Sequence, residues 1–287
     1  MKSACKSFAT GLVRNDVLWR FLSATVFKAM LYMQRERQKY EECQGRLPDQ
    51  IFIGRAVEQI FPDLKVRHGV FRGMQYVPVR HLSGALFPKL LGTYEREVHP
   101  VLERICRQNY TEIVNVGCAE GYYAVGLALR LPKVKVFAFD TNEEAKLRCR
   151  ELAELNGVGD RVILGSFCDP AVLLSLPLTG RALIVSDCEG YEKQLFTPEV
   201  VKQLAPHDVF IEVHDDVDIN ISTMLRNRFE PTHRIESVFS VDDIQKAKSY
   251  SYPELENYDL AGRKILLGEW RPHIMEWLFI QSRNPAA

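Results

Sequence analysis

Short apolar runs recur through the middle of the chain with polar, capped segments between them, and this alternation predicts most of the fold. Ile113, Val114 and Val116 make a run too short for a helix, and similar runs stand at residues 134–140, 161–164, 182–185 and 209–213. The intervals carry helix punctuation. The first leads through Gly117, Ala119 and Gly121 into a helix-favouring segment that stops at Pro132. In the second, Thr141 and Glu144 form a capping box for a helix ending at Asn156-Gly157. Asp169-Pro170 and Thr197-Pro198 open two more. Strands alternating with helices at this spacing imply an α/β fold, with a mostly parallel sheet covered on both faces. Two later runs, residues 234–241 and 276–282, extend it to seven strands through a final antiparallel pair at the edge. The polar, tyrosine-rich stretch 242–273 between them is too long for a structureless loop and predicts a lid or helices of its own.

Upstream, the pattern changes. Val17, Leu18, Phe21, Leu22, Thr25, Val26, Ala29, Met30 and Met33 fall on one face of a helix opened by Asn15 or Asp16. That face offers a dimer surface, and so a homo-oligomer, as readily as a cap on the main domain. A second helix over 51–61 closes at Pro62, and 66–79 alternates around two glycines like a hairpin. Pro100 starts or kinks the helix that feeds the first strand. The domain reading is therefore a helical and hairpin cap over 1–85, then the sheet domain over 86–287 with an insertion at about 242–273.

Charge and cysteine content narrow the setting. Lys+Arg and Asp+Glu both number 37, with no long basic run, which speaks against a nucleic-acid partner. The seven cysteines include no Cys-x-x-Cys pair and read as reduced, mostly buried thiols of a cytoplasmic protein. The apolar N-terminal run is broken by Arg20 and Lys28, too short for a transmembrane segment.

Ligands of such sheets bind beyond the carboxyl ends of the strands. Standing there are residues 115–121, Asp140, 166–169, 187–192 and 212–216. The small-residue turn presents free backbone N–H groups at a helix N-terminus. Asp140, at the end of the second strand, offers two carboxylate oxygens to the vicinal diol of an adenosine ribose. A dinucleotide fingerprint would require glycine where Ala119 and Tyr122 stand. Small residues at 117, 119 and 121, preceded by Asn115, instead resemble the S-adenosylmethionine loop of class I methyltransferases, whose acid and middle glycine Asn115 and Ala119 replace.

The resemblance becomes more specific in three blocks: PKLLGTYERE before the first strand, the loop VGCAEGYYAVG, and DCEGYEKQLF after the fourth strand. Over roughly residues 86–214 these resemble the FkbM-type methyltransferases, mainly O-methylating enzymes of sugars and natural products, whose Asp-x-Glu-Gly-x-Glu signature falls on Asp187, Glu189, Gly190 and Glu192. The resemblance implies a Rossmann-like fold and S-adenosyl-L-methionine as cofactor. Gly117 to Gly121, with Cys118 and Ala119, would hold the methionine portion, Asp140 the ribose, and Ser166, Phe167 and Cys168 the adenine edge; Asn115, Thr141 and Asp187 complete the cofactor-binding set. The acceptor would be a small hydroxylated molecule.

Methyl transfer to a hydroxyl needs alignment and a base. His214, Asp187 and Glu189 are the candidates, His214 first because its ordinary pKa lies near neutrality. Asp187 with Asp215-Asp216 also resembles the magnesium site of macrocin-type O-methyltransferases, a set of hard oxygen ligands suited to Mg2+. Two other readings stand beside the methyltransferase: an NAD(P)-dependent oxidoreductase or epimerase on the same sheet, and a binding protein that keeps the cofactor pocket without turnover.

Overall fold

In a computed structural model, residues 16, 27–43, 48–78, 85–271 and 273–286 are described. The amphipathic face beginning at Val17 lies largely outside them, as does Val79, the last residue of the expected hairpin over 66–79. The chain divides into a small unit ending at Arg55 and a large unit that begins at Ala56. The small unit contains helix α1, Phe27–Cys43, and most of α2, Pro48–Ile60.

The large unit is built on one sheet. Its strands are β1 Glu112–Val116, β2 Lys135–Phe139, β3 Val162–Gly165, β4 Ala182–Ser186, β5 Asp208–Val213, β6 His233–Phe239 and β7 Glu276–Ser282. They lie in the order β3-β2-β1-β4-β5-β7-β6. β1 to β5 are parallel and β7 pairs antiparallel with both β5 and β6. This is the Rossmann-like methyltransferase arrangement, and the chain reverses its direction of travel across the sheet between β1 and β4, the switch point at which ligands bind. The strand that runs against the others is one place in from the edge, with β6 outside it.

Burial follows from position in the sheet. β1, β4 and β5 are buried at every residue, as central parallel strands covered on both faces must be, whereas edge strand β6 is mostly exposed. One face packs Val114, Phe137, Ile184 and Ile211 against Leu195, Phe196, Leu225 and Phe229. On the other, Trp277 of β7 stacks on Phe210 of β5 at 4.5 Å and 19°, with Tyr123 beside both.

The helices stand between the strands as the punctuation predicts, with one correction. The helices ahead of β1 are α3, Leu86–Leu91, and α4, His99–Ile105, where Pro100 occupies the first turn. After β1 comes α5, Tyr122–Arg130; after β2, α6, Glu143–Leu155. The cap of α6 is Asn142, whose side chain accepts from the N–H groups of Glu144 and Ala145, and not Thr141. That leaves Thr141 free to face the cleft. Asp169 and Thr197 do cap α7, Pro170–Ser175, and the helix Pro198–Gln203. The hairpin over 66–79 is reduced to a turn closed by one bridge, Lys65 to Gln75. Stretch 242–273 holds helices Asp243–Ser249 and Leu260–Leu266 around a short 3-10 turn.

Candidate active site

A cleft of about 230 Å³ opens over the carboxyl ends of β1, β2 and β4, lined by Gly117, Ala119, Asp140, Thr141, Ser166, Phe167, Cys168, Asp187 and Glu189 together with Val116, Phe139, Cys188 and Tyr191. Most of the residues expected to hold a cofactor therefore share one cavity. Three do not line it. Cys118 is buried, its thiol donating to the Ala119 carbonyl oxygen at 3.7 Å, and Gly121 packs against the Cys149 sulfur. Asn115 is 1% exposed, and neither its amide nitrogen nor its oxygen has a partner. A buried amide left unpaired is costly, and it lies two residues before the turn that borders the cleft.

The turn is shaped by its neighbours as much as by any ligand. Gly117 has φ +77, and a Cβ there would sit 1.6 Å from the carbonyl oxygen of Asp187. The backbone after β4 therefore crosses directly over the end of β1. Ala119 and Glu189, both lining the cleft, hold left-handed φ values of 44 and 54 without being glycine. Strain of this kind collects at functional sites.

Asp140 ties the turn to β2: Oδ2 accepts the N–H of Ala119 at 2.9 Å and Oδ1 that of Asn142 at 2.8 Å. Each carboxylate oxygen keeps a second lone pair, so a ribose diol can still be accepted while the backbone holds the carboxylate in place. Phe167, 50% exposed, packs against Tyr191 with centroids 5.2 Å apart and planes tilted by 55°, leaving an aromatic surface at the cleft on which a purine can lie. The cleft is smaller than the roughly 300 Å³ at which ligand pockets usually begin, which suits the nucleoside half of the cofactor.

At the β4 and β5 ends stands a cluster of ionisable groups. Nδ1 of His214 lies 2.6 Å from Oε1 of the fully buried Glu192; Nε2 lies 3.5 Å from Asp187 and 3.6 Å from Glu189. Burial and the nearby Glu212 carboxylate push Asp187 up to about 8. Burial alone would lower the His214 imidazole, but its bond to Glu192 and the carboxylates of Glu192, Asp187 and Glu212 outweigh that and carry it up to about 9. The cluster thus retains protons at neutral pH.

Asp187, Asp215 and Asp216 are not gathered as a magnesium site would need. Both oxygens of Asp215 accept from Ser222, its N–H and its hydroxyl, and Asp216 faces His273 at 3.5 Å. Among the described residues, the group with metal-ligand spacing is Asp187, Glu212 and His214, with ligand atoms within 4.8 Å of one another. Arg271 already pairs with the Glu212 carboxylate of this group.

Arg271 is the centre of a buried network that sequence reasoning missed. Its guanidinium pairs with Glu95, Glu212 and Glu269; Lys246 pairs with Glu269 at 2.6 Å, and the Tyr123 hydroxyl bonds Glu95. The network joins the segment before β1, the end of β5 and the 242–273 insertion. Glu212 was discernible as an acid inside an apolar strand, and Tyr191 stood within the DCEGYEK block; Arg271 carries no local signal.

Comparison with known proteins agrees with this geometry. No family model matches the chain. It is 30% identical over 131 residues to the release factor glutamine methyltransferase of Deinococcus radiodurans, covering 40% of this chain and 46% of that protein. It is 35% identical over 101 residues to a probable cobalt-precorrin-6B C(15)-methyltransferase (decarboxylating) of Pyrobaculum calidifontis, covering 31% of this chain and 52% of that protein. The chain spans about half the length of the curated relatives it matches. A precorrin-6y C5,15-methyltransferase structure from Geobacter metallireducens aligns with a TM-score of 0.46 at 14% identity, over 67% of this chain and 90% of that one. The strand order and the single antiparallel strand give this chain a Rossmann-like methyltransferase fold. Among the described residues no helix is long and apolar enough to cross a membrane.

Proposed function

We propose that the protein is an S-adenosylmethionine-dependent methyltransferase that methylates a hydroxyl group of a small polyhydroxylated acceptor. The observation that carries the cofactor assignment is the convergence of Ala119, Asp140, Thr141, Ser166, Phe167 and Cys168 on one cleft. Bound there, the cofactor supplies an activated methyl group. Asp140 accepts the ribose hydroxyls, the adenine packs on the exposed face of Phe167, and the unpaired amide of Asn115 serves the methionine end. These are proposals of role, and so is the cap over 1–85 as the region that shapes the acceptor pocket.

Hydroxyl methylation is favoured by the ionisable cluster beside the cleft, which turns into a base as pH rises toward 8–9 and its protons leave. His214, Asp187 and Glu189 converge there, and a group that has released its proton can accept one from the acceptor in the transfer step. The finer assignment to the FkbM type rests on the Asp187, Glu189, Gly190 and Glu192 signature. Glu192, its last member, is the residue that bonds His214. The two matched relatives are named for methylating a protein glutamine and a corrin carbon. Those acceptors need no hydroxyl base, so the cluster is what separates this reading from theirs.

Calorimetry tests the cofactor directly: S-adenosylmethionine should bind and NAD should not. Tight NAD binding without S-adenosylmethionine binding would replace this reading with an oxidoreductase or epimerase. Methyl release over a panel of hydroxylated acceptors then separates an enzyme from a binding protein.

A further inference from the structure

The Glu192 and His214 pair is built more tightly than a surface ion pair requires. Glu192 is 0% exposed and His214 4%, and the two approach at 2.6 Å. Oε1 of Glu192 also receives the N–H of Gly190 at 3.4 Å, within the same turn, which orients the carboxylate toward the ring. The oxygen that faces Nδ1 is the one that accepts the Gly190 N–H, so Nδ1 is placed to donate to an acceptor and the ring to take its Nδ1–H form. The other nitrogen, Nε2, then faces Asp187 and Glu189, the two acids that line the cleft.

We propose that Glu192 is a positioning residue that fixes His214 in its Nδ1–H form, so that the free Nε2 lone pair of the neutral ring is presented to the acceptor side of the cleft. The inference rests on the hydroxyl-methylating reading for its purpose, but not for its geometry. In the transfer step, the acceptor oxygen forms a bond to the methyl carbon as the carbon–sulfur bond breaks; the acceptor proton passes to Nε2, directly or by way of Asp187. The imidazolium so formed lies between carboxylates on both sides: Glu192 behind it, Asp187 and Glu189 in front. Glu212 is the further acid near it, and its charge is shared with Arg271. A ring of the opposite tautomer would turn an N–H toward the cleft and could accept nothing from the acceptor. Loss of the correct tautomer is known to disable histidine bases while leaving geometry intact.

The test needs no acceptor. Nitrogen NMR of the full-length protein, labelled at histidine and with His214 assigned by His214→Asn, reports both the tautomer and the titration of this one ring. Wild-type His214 should lose its proton only in the alkaline range and, once neutral, carry hydrogen on Nδ1. Glu192→Gln retains an acceptor oxygen and removes the charge, so the Nδ1–H form should persist while the midpoint drops by about one unit or more. Glu192→Leu should release the preference and let the Nε2–H form appear. Neutral wild-type His214 protonated on Nε2 would overturn the proposal without any variant. So would an unchanged midpoint in Glu192→Gln, or an unchanged tautomer in Glu192→Leu. S-adenosylmethionine calorimetry on the same samples keeps the two readings apart. Absent binding with the tautomer as described removes the enzyme reading alone; intact binding with the wrong tautomer removes the role of Glu192 alone. Once an acceptor is found, Glu192→Leu should lose on the order of a hundredfold in kcat with KM little changed.

Discussion

Replacing Gly117 by alanine separates two reasons for a glycine in the loop after β1. The added Cβ would stand 1.6 Å from the Asp187 carbonyl oxygen and 2.7 Å from its carbon, at φ +77. Left-handed backbone costs a non-glycine residue about 1–2 kcal/mol. Forcing a methyl into filled space costs about 1–3 kcal/mol more, and here the obstacle is main chain, so no rotamer change relieves it. Gly157 is the control: its φ is +69, but nothing lies within 4 Å of an added Cβ. Gly157→Ala should therefore lose only the backbone part, about 1–2 kcal/mol, and Gly117→Ala about 2–5 kcal/mol. Urea unfolding of both variants, followed by tryptophan fluorescence, measures the difference; in thermal melts Gly117→Ala should fall by on the order of 10 °C. If the two variants agree within about 0.5 kcal/mol, the close passage of the chain after β4, at Asp187, over the end of β1 is wrong. The result also bears on function, because relief of the clash must push Asp187 and its loop away from the cleft.

Other outcomes follow from the same geometry. Phe167→Ala should weaken S-adenosylmethionine binding on the order of tenfold to a hundredfold by calorimetry, since it removes the exposed ring on which the base packs. Arg271→Met should destabilise the fold by about 3–5 kcal/mol in urea, because Glu95, Glu212 and Glu269 lose their shared buried counter-charge. Asp187 and His214 both bind protons more tightly folded than unfolded, so stability must fall as pH rises. The Asp187 contribution is complete below its ordinary 3.8 and gone by about 8; that of His214 is complete below 6.5 and gone by about 9. Melting points should therefore decline between pH 4 and 9, and the decline should flatten in Asp187→Asn and His214→Asn; an unchanged slope would show that neither group is proton-linked to folding.

The strands, their order of appearance and the cofactor end of the sheet were readable along the chain because each depends on local rules. A buried parallel strand must be an unbroken apolar run, and Asp169 and Thr197 cap the helices they precede because capping involves neighbours only a few residues away. Even there a one-residue ambiguity survived: Thr141 and Asn142 are both good caps, and the backbone chose Asn142 because Asp140 anchors its N–H.

What the chain's own pattern determined is that Gly117, Asp140, Ser166 and Phe167 stand at strand ends, and a parallel sheet brings strand ends together. What only the tertiary structure decided is how the charges are shared. Asp215 was spent on Ser222 and Asp216 faces His273, while Glu212 and Glu192, visible in sequence only as acids near strand ends, became the partners of Arg271 and His214. Arg271 lies 59 residues from Glu212 and 176 from Glu95. Electrostatic pairing acts through space and is blind to such separations, so no periodicity along the chain could have announced it.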